Sequence, residues 1–192
     1  MSVVIAIKHK NKIYLGCDTQ VSTLSNKDNL KGASQKIWHY KDLAEIALGG
    51  VGSLRDIQLI QTMDNLFKPL DLLAGTIDFH YLVNDFFTDI YERLLSKHRI
   101  PFMEGRPTPL PIIEAELIVA IEDKMYMIGQ DGSVIEGDDY LVIGSGEDIA
   151  TGVLENNKNK KPETRIKEAI TACSDKTLFV NSEILITTTE RT

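Results

Sequence analysis

The sequence predicts an α+β fold: a four-layer sandwich of two antiparallel sheets packed face to face, each covered on its outer side by a pair of helices. Three observations carry that prediction. Short apolar runs bounded by polar turns, the signature of strands, occur at both ends of the chain and in its middle. Between them lie two pairs of segments with apolar residues every three or four positions, the period of helices. The resulting order is strands, two helices, strands, two helices, strands. Strands grouped apart from helices favour antiparallel sheets over alternating parallel units.

Taken in order, residues 2–8 and 13–18 read as two strands joined by the polar turn 9–12. Residues 35–40 and 44–49 follow after a polar stretch, and the four strands in meander order are expected to form one sheet. Leu54, Ile57, Ile60, Met63 and Phe67 then mark a helix, with Ser53 and Asp56 spaced as a capping box and Pro69 as its stop. Phe79, Leu82, Val83, Phe86, Ile90 and Leu94 share one face of a second helix, closed by Pro101. Prolines cluster with Gly105 in residues 101–111, a long surface loop rather than a linker.

Strands return at 115–121 and 124–128, then at 134–135 and 140–143, with Asp131-Gly132 as a hairpin turn. Gly144-Ser145-Gly146 opens a third helix. Pro162 starts a fourth that ends near Cys173, and 178–180 with 183–188 read as a closing strand pair.

Composition bounds the function. The 192 residues carry a net charge of −7 and 43% hydrophobic residues, which suits one domain spanning 1–192 with a core of its own. The acidic balance argues against a nucleic-acid partner and against an anionic membrane surface. No run is long and apolar enough to cross a bilayer. Lys8, His9, Lys10 and Lys12 follow only a short apolar run, unlike a secretion signal. Cys17 and Cys173 show no paired-motif spacing, which fits a reducing cytoplasm. His9, His39, His80 and His98 are scattered and form no metal-ligand pattern. A cytoplasmic protein that needs no cofactor is expected.

Ser2 is the first candidate for chemistry. It is small enough for the initiator Met1 to be trimmed, and it would then hold a hydroxyl and a free α-amine on one residue. An α-amine titrates at about pH 8 and can act as base for its own hydroxyl. Asp18 ends the second strand opposite the start of the first; it reads as a solvated turn carboxylate or as a partner of that amine. Lys36 reads as a surface lysine. Buried beside Asp18, it would instead lower the amine's pKa. Gly49-Gly50-Val51-Gly52 turns a strand into a helix. It lacks the third glycine of a dinucleotide loop, since Arg55 stands there, so it either serves the turn alone or lends the Gly49 N–H to an oxyanion. Ser145 reads as a helix cap. Asp175, placed just after the last helix, gains nothing from the helix dipole there and so hints at another duty.

Together these residues resemble the proteasome β-subunit superfamily of N-terminal nucleophile hydrolases, its HslV-like branch most of all. Ser2-Val3-Val4-Ile5 resembles the family's opening Thr-Thr-x-Val strand, and Gly16-Cys17-Asp18-Thr19-Gln20-Val21-Ser22 its Gly-Gly-Asp-Gly-Gln-Val-Ser. Lys31-Gly32 through Lys36-Ile37, Leu48-Gly49-Gly50-Val51, Ile143-Gly144-Ser145-Gly146 and Ser174-Asp175 match further family motifs in order. The resemblance implies Ser2 as nucleophile in place of threonine, Asp18 and Lys36 as its charge partners, and Gly49 as oxyanion donor. Ser145 and Asp175 would complete the network around the amine. It also implies a structural sodium ion on the backbone carbonyls of Ser174, Thr177 and Val180.

The implied activity is hydrolysis of peptide bonds in peptides or unfolded proteins. It would take place within a homo-oligomeric ring, two rings stacked, fed by a separate AAA+ unfoldase ATPase. The glycine turn departs from the family pattern, with Gly52-Ser53 where Ala-Asp is usual. Two other readings stand beside this one: a non-catalytic structural or assembly subunit of the same fold, and an amidase acting on small amides.

Overall fold

The computed structural model describes residues 2–22, 27–29, 35–41, 43–68, 71–72, 75–96 and 112–190. The loop expected at 101–111, and the helix stops at Pro69 and Pro101, lie outside them. Eleven strands are present among the described residues: β1 (Val3–His9), β2 (Lys12–Asp18), β3 (Gln20–Ser22), β4 (Lys27–Asn29), β5 (Ile37–Tyr40), β6 (Leu43–Gly52), β7 (Ala115–Ile121), β8 (Lys124–Ile128), β9 (Val134–Gly137), β10 (Tyr140–Gly144) and β11 (Ile184–Thr188). The helices are α1 (Leu54–Gln61), α2, α3 (Glu147–Asn156) and α4 (Pro162–Lys176). Here α2 is the run Phe79–Tyr81, Leu82–Phe86 and Phe87–Ser96, whose middle segment is π-helical.

Two antiparallel sheets form the centre, one in the order β10-β1-β2-β11 and the other β5-β6-β7-β8-β9, with β3-β4 as a separate ribbon. The expected α+β sandwich is present, and its layers are visible in three apolar clusters. Val4, Leu15 and Ile118 pack between the sheets. Ile57, Phe86 and Ile90 of α1 and α2 cover the five-stranded sheet, while Leu154, Ile166 and Ile170 of α3 and α4 cover the four-stranded one. β1 shows why its sequence is apolar without alternation. Val4 and Ala6 face the other sheet, Val3, Ile5 and Ile7 face the helices, and all five are fully buried. Each of the valine and isoleucine side chains contributes roughly 1.5–3 kcal/mol through burial.

Three sequence expectations change. The first four strands do not share a sheet: β1 and β2 belong to one, β5 and β6 to the other. Apolar periodicity reports that a strand is buried, not which strand lies beside it, and β1 finds β10 as its second neighbour. α1 stops at Gln61, where the Thr62 hydroxyl donates to the Gln58 carbonyl at 2.8 Å. Phe67 thus reaches the core from beyond the helix. Residues 178–180 form no strand: Gln20 Nε2 donates to the Leu178 carbonyl at 2.9 Å, where a ladder would need a backbone donor.

Candidate active site

The site starts from β1. Its pairing with β2 sets Val4 opposite Cys17, which brings Asp18 to the first residues of the strand. Asp18 is fully buried. Its Oδ1 accepts the Val3 N–H at 3.0 Å and lies 2.8 Å from Lys36 Nζ, and its Oδ2 accepts the Gln20 N–H at 3.1 Å. Lys36 is 4% exposed. Burial pulls its pKa below the ordinary lysine value, and the facing Asp18 carboxylate opposes that shift. An ion pair in such a place costs desolvation that its own attraction barely returns, so its presence under Ser2 is more informative than a surface pair.

Lys36 is held by its neighbours on both sides. Its carbonyl accepts the Gly50 N–H at 2.8 Å, and Ile37, next in sequence, stands opposite Gly49 on β6. Cys17, next to Asp18, is also fully buried, and burial pushes its thiol up to about 12.

Ser2 is 7% exposed and its hydroxyl has no hydrogen-bond partner among the described residues. It lines an open cleft of about 250 Å³ shared with Val51, Gly52, Glu116, Gln130, Gly144, Ser145 and Glu147. The Ser145 hydroxyl donates to the Ser2 carbonyl at 3.4 Å. It does not cap α3, whose N-cap is Gly146. Gly144 makes this approach possible. Its φ is +100°, and a Cβ there would sit 2.3 Å from the Ser2 carbonyl oxygen, a conformation and a contact that other residues resist.

The structure therefore brings Ser2, Asp18, Lys36 and Ser145 together and leaves two expected members out. Gly50 donates towards β5, and successive N–H groups of a strand alternate sides, so the Gly49 N–H points to β7, where its register partner is Ile118. Gly49 instead permits close approach of the sheets, since a Cβ there would meet Val4 Cγ1 at 2.6 Å. Asp175 falls inside the last turn of α4, which runs to Lys176, and it is exposed with no hydrogen bond or ion pair among the described residues. Met1 and the Lys31-Gly32 part of the lysine motif lie outside the described residues.

The segment after α4 was expected to hold a cation. Among the described residues the carbonyls of Ser174, Thr177 and Val180 accept no hydrogen bond, and the buried Thr177 Oγ1 is likewise unpartnered. Free oxygens of this kind fit a hard cation. Thr19 and Gln20 fix the turn: the Thr19 N–H donates to Asn181 Oδ1 at 3.2 Å and to the Glu183 carbonyl at 3.1 Å.

Sequence reasoning missed the acidic members of the cleft. Glu116 interrupts the apolar β7 run, and Glu147 directly follows Gly146; those two interruptions were the available signals. A larger cavity, about 380 Å³, lies beside His39 and Thr187. His39 Nε2 stands 2.7 Å from Thr187 Oγ1, but its Nδ1 has no partner among the described residues, so no third group orients the imidazole as a base.

Known proteins give this chain a family and fold relatives. Residues 2–176 match the Proteasome family, described as "Proteasome subunit". The chain is similar to the ATP-dependent protease subunit HslV of Pediococcus pentosaceus, 26% identical with 96% of this chain and 92% of that protein covered. It is also similar to the same-named subunit of Aliarcobacter butzleri, 28% identical with 96% and 95% covered. Among solved structures, HslV from Trypanosoma brucei aligns with a TM-score of 0.65 at 18% identity, covering 98% of this chain and 99% of that one. The Thiobacillus denitrificans BPH structure aligns with a TM-score of 0.69 at 12% identity, covering 99% and 98%. Fold and sequence match converge on one assignment: the chain belongs to the proteasome subunit family.

Proposed function

We propose that this chain is a proteasome-type peptidase, of the HslV-like kind, whose N-terminal nucleophile is Ser2 once Met1 is removed. The observation that carries the reading is Ser2 itself: a residue 7% exposed, its hydroxyl unpartnered among the described residues, lining a cleft and followed by Val3, whose N–H is held by Asp18 of the buried Asp18–Lys36 pair. With Met1 gone, the α-amine takes the hydroxyl proton as the oxygen attacks the scissile carbonyl. Collapse of the adduct breaks the C–N bond, and the ammonium returns the proton to the leaving amine. A water, deprotonated by the same amine, then hydrolyses the acyl-serine and restores the hydroxyl. Lys36 favours the deprotonated amine by its positive charge, and Asp18 holds Lys36 in place.

The carbonyls of Ser174, Thr177 and Val180 would hold a sodium ion that ties the end of α4 to the turn beyond it. We read the 192 residues as one domain, working in the cytoplasm as a double-ringed homo-oligomer on peptides and unfolded proteins. No described helix is long and apolar enough to cross a membrane. The relatives' name, ATP-dependent protease subunit, supports a separate AAA+ unfoldase as partner; this sequence has no Walker motif of its own.

Intact mass before and after treatment with a β-lactone or epoxyketone tests the reading. Loss of Met1 and a single adduct, absent from Ser2→Ala, is the expected result. Retained Met1 with no adduct overturns it in favour of a non-catalytic subunit. A monomer by light scattering at micromolar concentration overturns the ring.

A further inference from the structure

We infer that the acidic wall of the Ser2 cleft selects substrates with a lysine or arginine beside the scissile bond; this rests on Ser2 being the peptidase nucleophile. Glu116 reaches the cleft from β7 and Glu147 from the first turn of α3, so two elements in different layers converge on it. Neither carboxylate has an ion pair or hydrogen bond among the described residues, and no lysine, arginine or histidine lines the cleft. The two charges feel each other. Burial raises the Glu147 carboxyl above its ordinary value, and Glu116, then Asp148, raise it further.

A carboxylate at a helix start is explained by the helix dipole alone, which accounts for Glu147 and Asp148. It does not account for Glu116, a charge on a central strand of its sheet with no partner among the described residues. The same cleft holds the 7%-exposed Ser2, whose hydroxyl has no partner among the described residues, so a bound peptide must pass between the nucleophile and this wall. A cationic side chain there relieves the repulsion between the carboxylates. An acidic side chain increases it.

The test is calorimetric titration of the Ser2→Ala protein with blocked peptides that differ at one central residue, lysine, leucine or glutamate. The lysine peptide should bind about tenfold tighter than the leucine peptide, the effect of two partly solvated ion pairs. Glu116→Gln with Glu147→Gln should bring the two within about twofold. Glu116→Lys with Glu147→Lys should favour the glutamate peptide, a gain that misfolding cannot produce. Equal binding of lysine and leucine peptides to Ser2→Ala overturns the inference, as does a preference that survives the double substitution. Wild-type protein that binds with this preference yet cleaves nothing overturns the peptidase reading alone. Cleavage without the preference overturns only the cleft assignment.

Discussion

The two sides of Ser2 are built by opposite rules. Below it, Asp18, Lys36 and Cys17 are each 4% exposed or less, and their charges are matched at 2.8 Å. Around the mouth of the cleft, Ser145, Gln130 and Glu147 are exposed, and the carboxylates are unmatched among the described residues. On the proposed function the difference separates two tasks. A buried pair is costly to assemble and tolerates no partial change, which suits groups that decide whether Ser2 reacts. An exposed rim changes at little cost to the fold, which suits groups that decide what it reacts with.

The sharpest way to break this contrast is to remove one member of the buried pair. Lys36→Ala should cost about 3–5 kcal/mol, because it strands the Asp18 charge in the core, and should stop acylation of Ser2. Urea unfolding and adduct formation measure the two effects. Lys36→Ala with Asp18→Ala should lose less stability than the sum of the single changes; simple additivity would mean that the pair is not coupled.

A comparable structural loss is expected at the edge of the rim. Gly144→Ala should cost on the order of 2 kcal/mol, from its left-handed backbone and its contact with the Ser2 carbonyl. Gly152→Ala in the interior of α3, with nothing within 4 Å of the new methyl, should instead stabilise by up to about 1 kcal/mol. Thermal melts of the two variants should move in opposite directions.

The pH profile tests the buried side more finely. Acylation should rise as the α-amine loses its proton, below its ordinary value of about pH 8 because of the Lys36 charge. It should fall again below pH 10.5, since burial lowers the Lys36 pKa from that value. Lys36→Arg keeps its charge and should move the falling limb upward. Stability has the opposite sign here. Between the lowered Lys36 pKa and 10.5 the unfolded chain binds the extra proton, so the Lys36 contribution to stability increases with pH across that window. The urea midpoint of wild type relative to Lys36→Met measures it.

The smallest effect is a null one. Burial puts Cys17 at about 12 and Cys173 at about 11, so neither should react with a thiol reagent at about pH 8 in the folded protein. Both should react in urea. Labelling of either in native protein would show the region beneath Ser2 to be more open than its burial implies.

Much of this site was legible in the sequence. An apolar strand opening at Ser2 and a second ending at Asp18 already imply that the two residues meet, because a short hairpin turn fixes register. Lys36 followed from the order of motifs, since a lone lysine carries no signal of burial. Gly49 and Asp175 failed for geometric reasons. A glycine in a strand signals close approach without saying which of its faces is approached, and here the approach is by Val4. Asp175 depended on where α4 stops, and helix ends are uncertain by a residue or two. The acidic rim was hidden because Glu116 and Glu147 lie 31 positions apart in sequence and meet only when β7 and α3 are assembled.

β1 has one more consequence. It is flanked by a strand on each side and covered on both faces, with residues 3–7 wholly out of contact with water. Segments of this kind exchange their amide hydrogens last, only when the whole domain opens. Ser2, the proposed nucleophile, is thus fastened to the part of the molecule that comes apart at the end. During slow heating, the fraction of chains still able to take a covalent label should track the fraction still globally folded, and fraying of outer helices should leave it untouched.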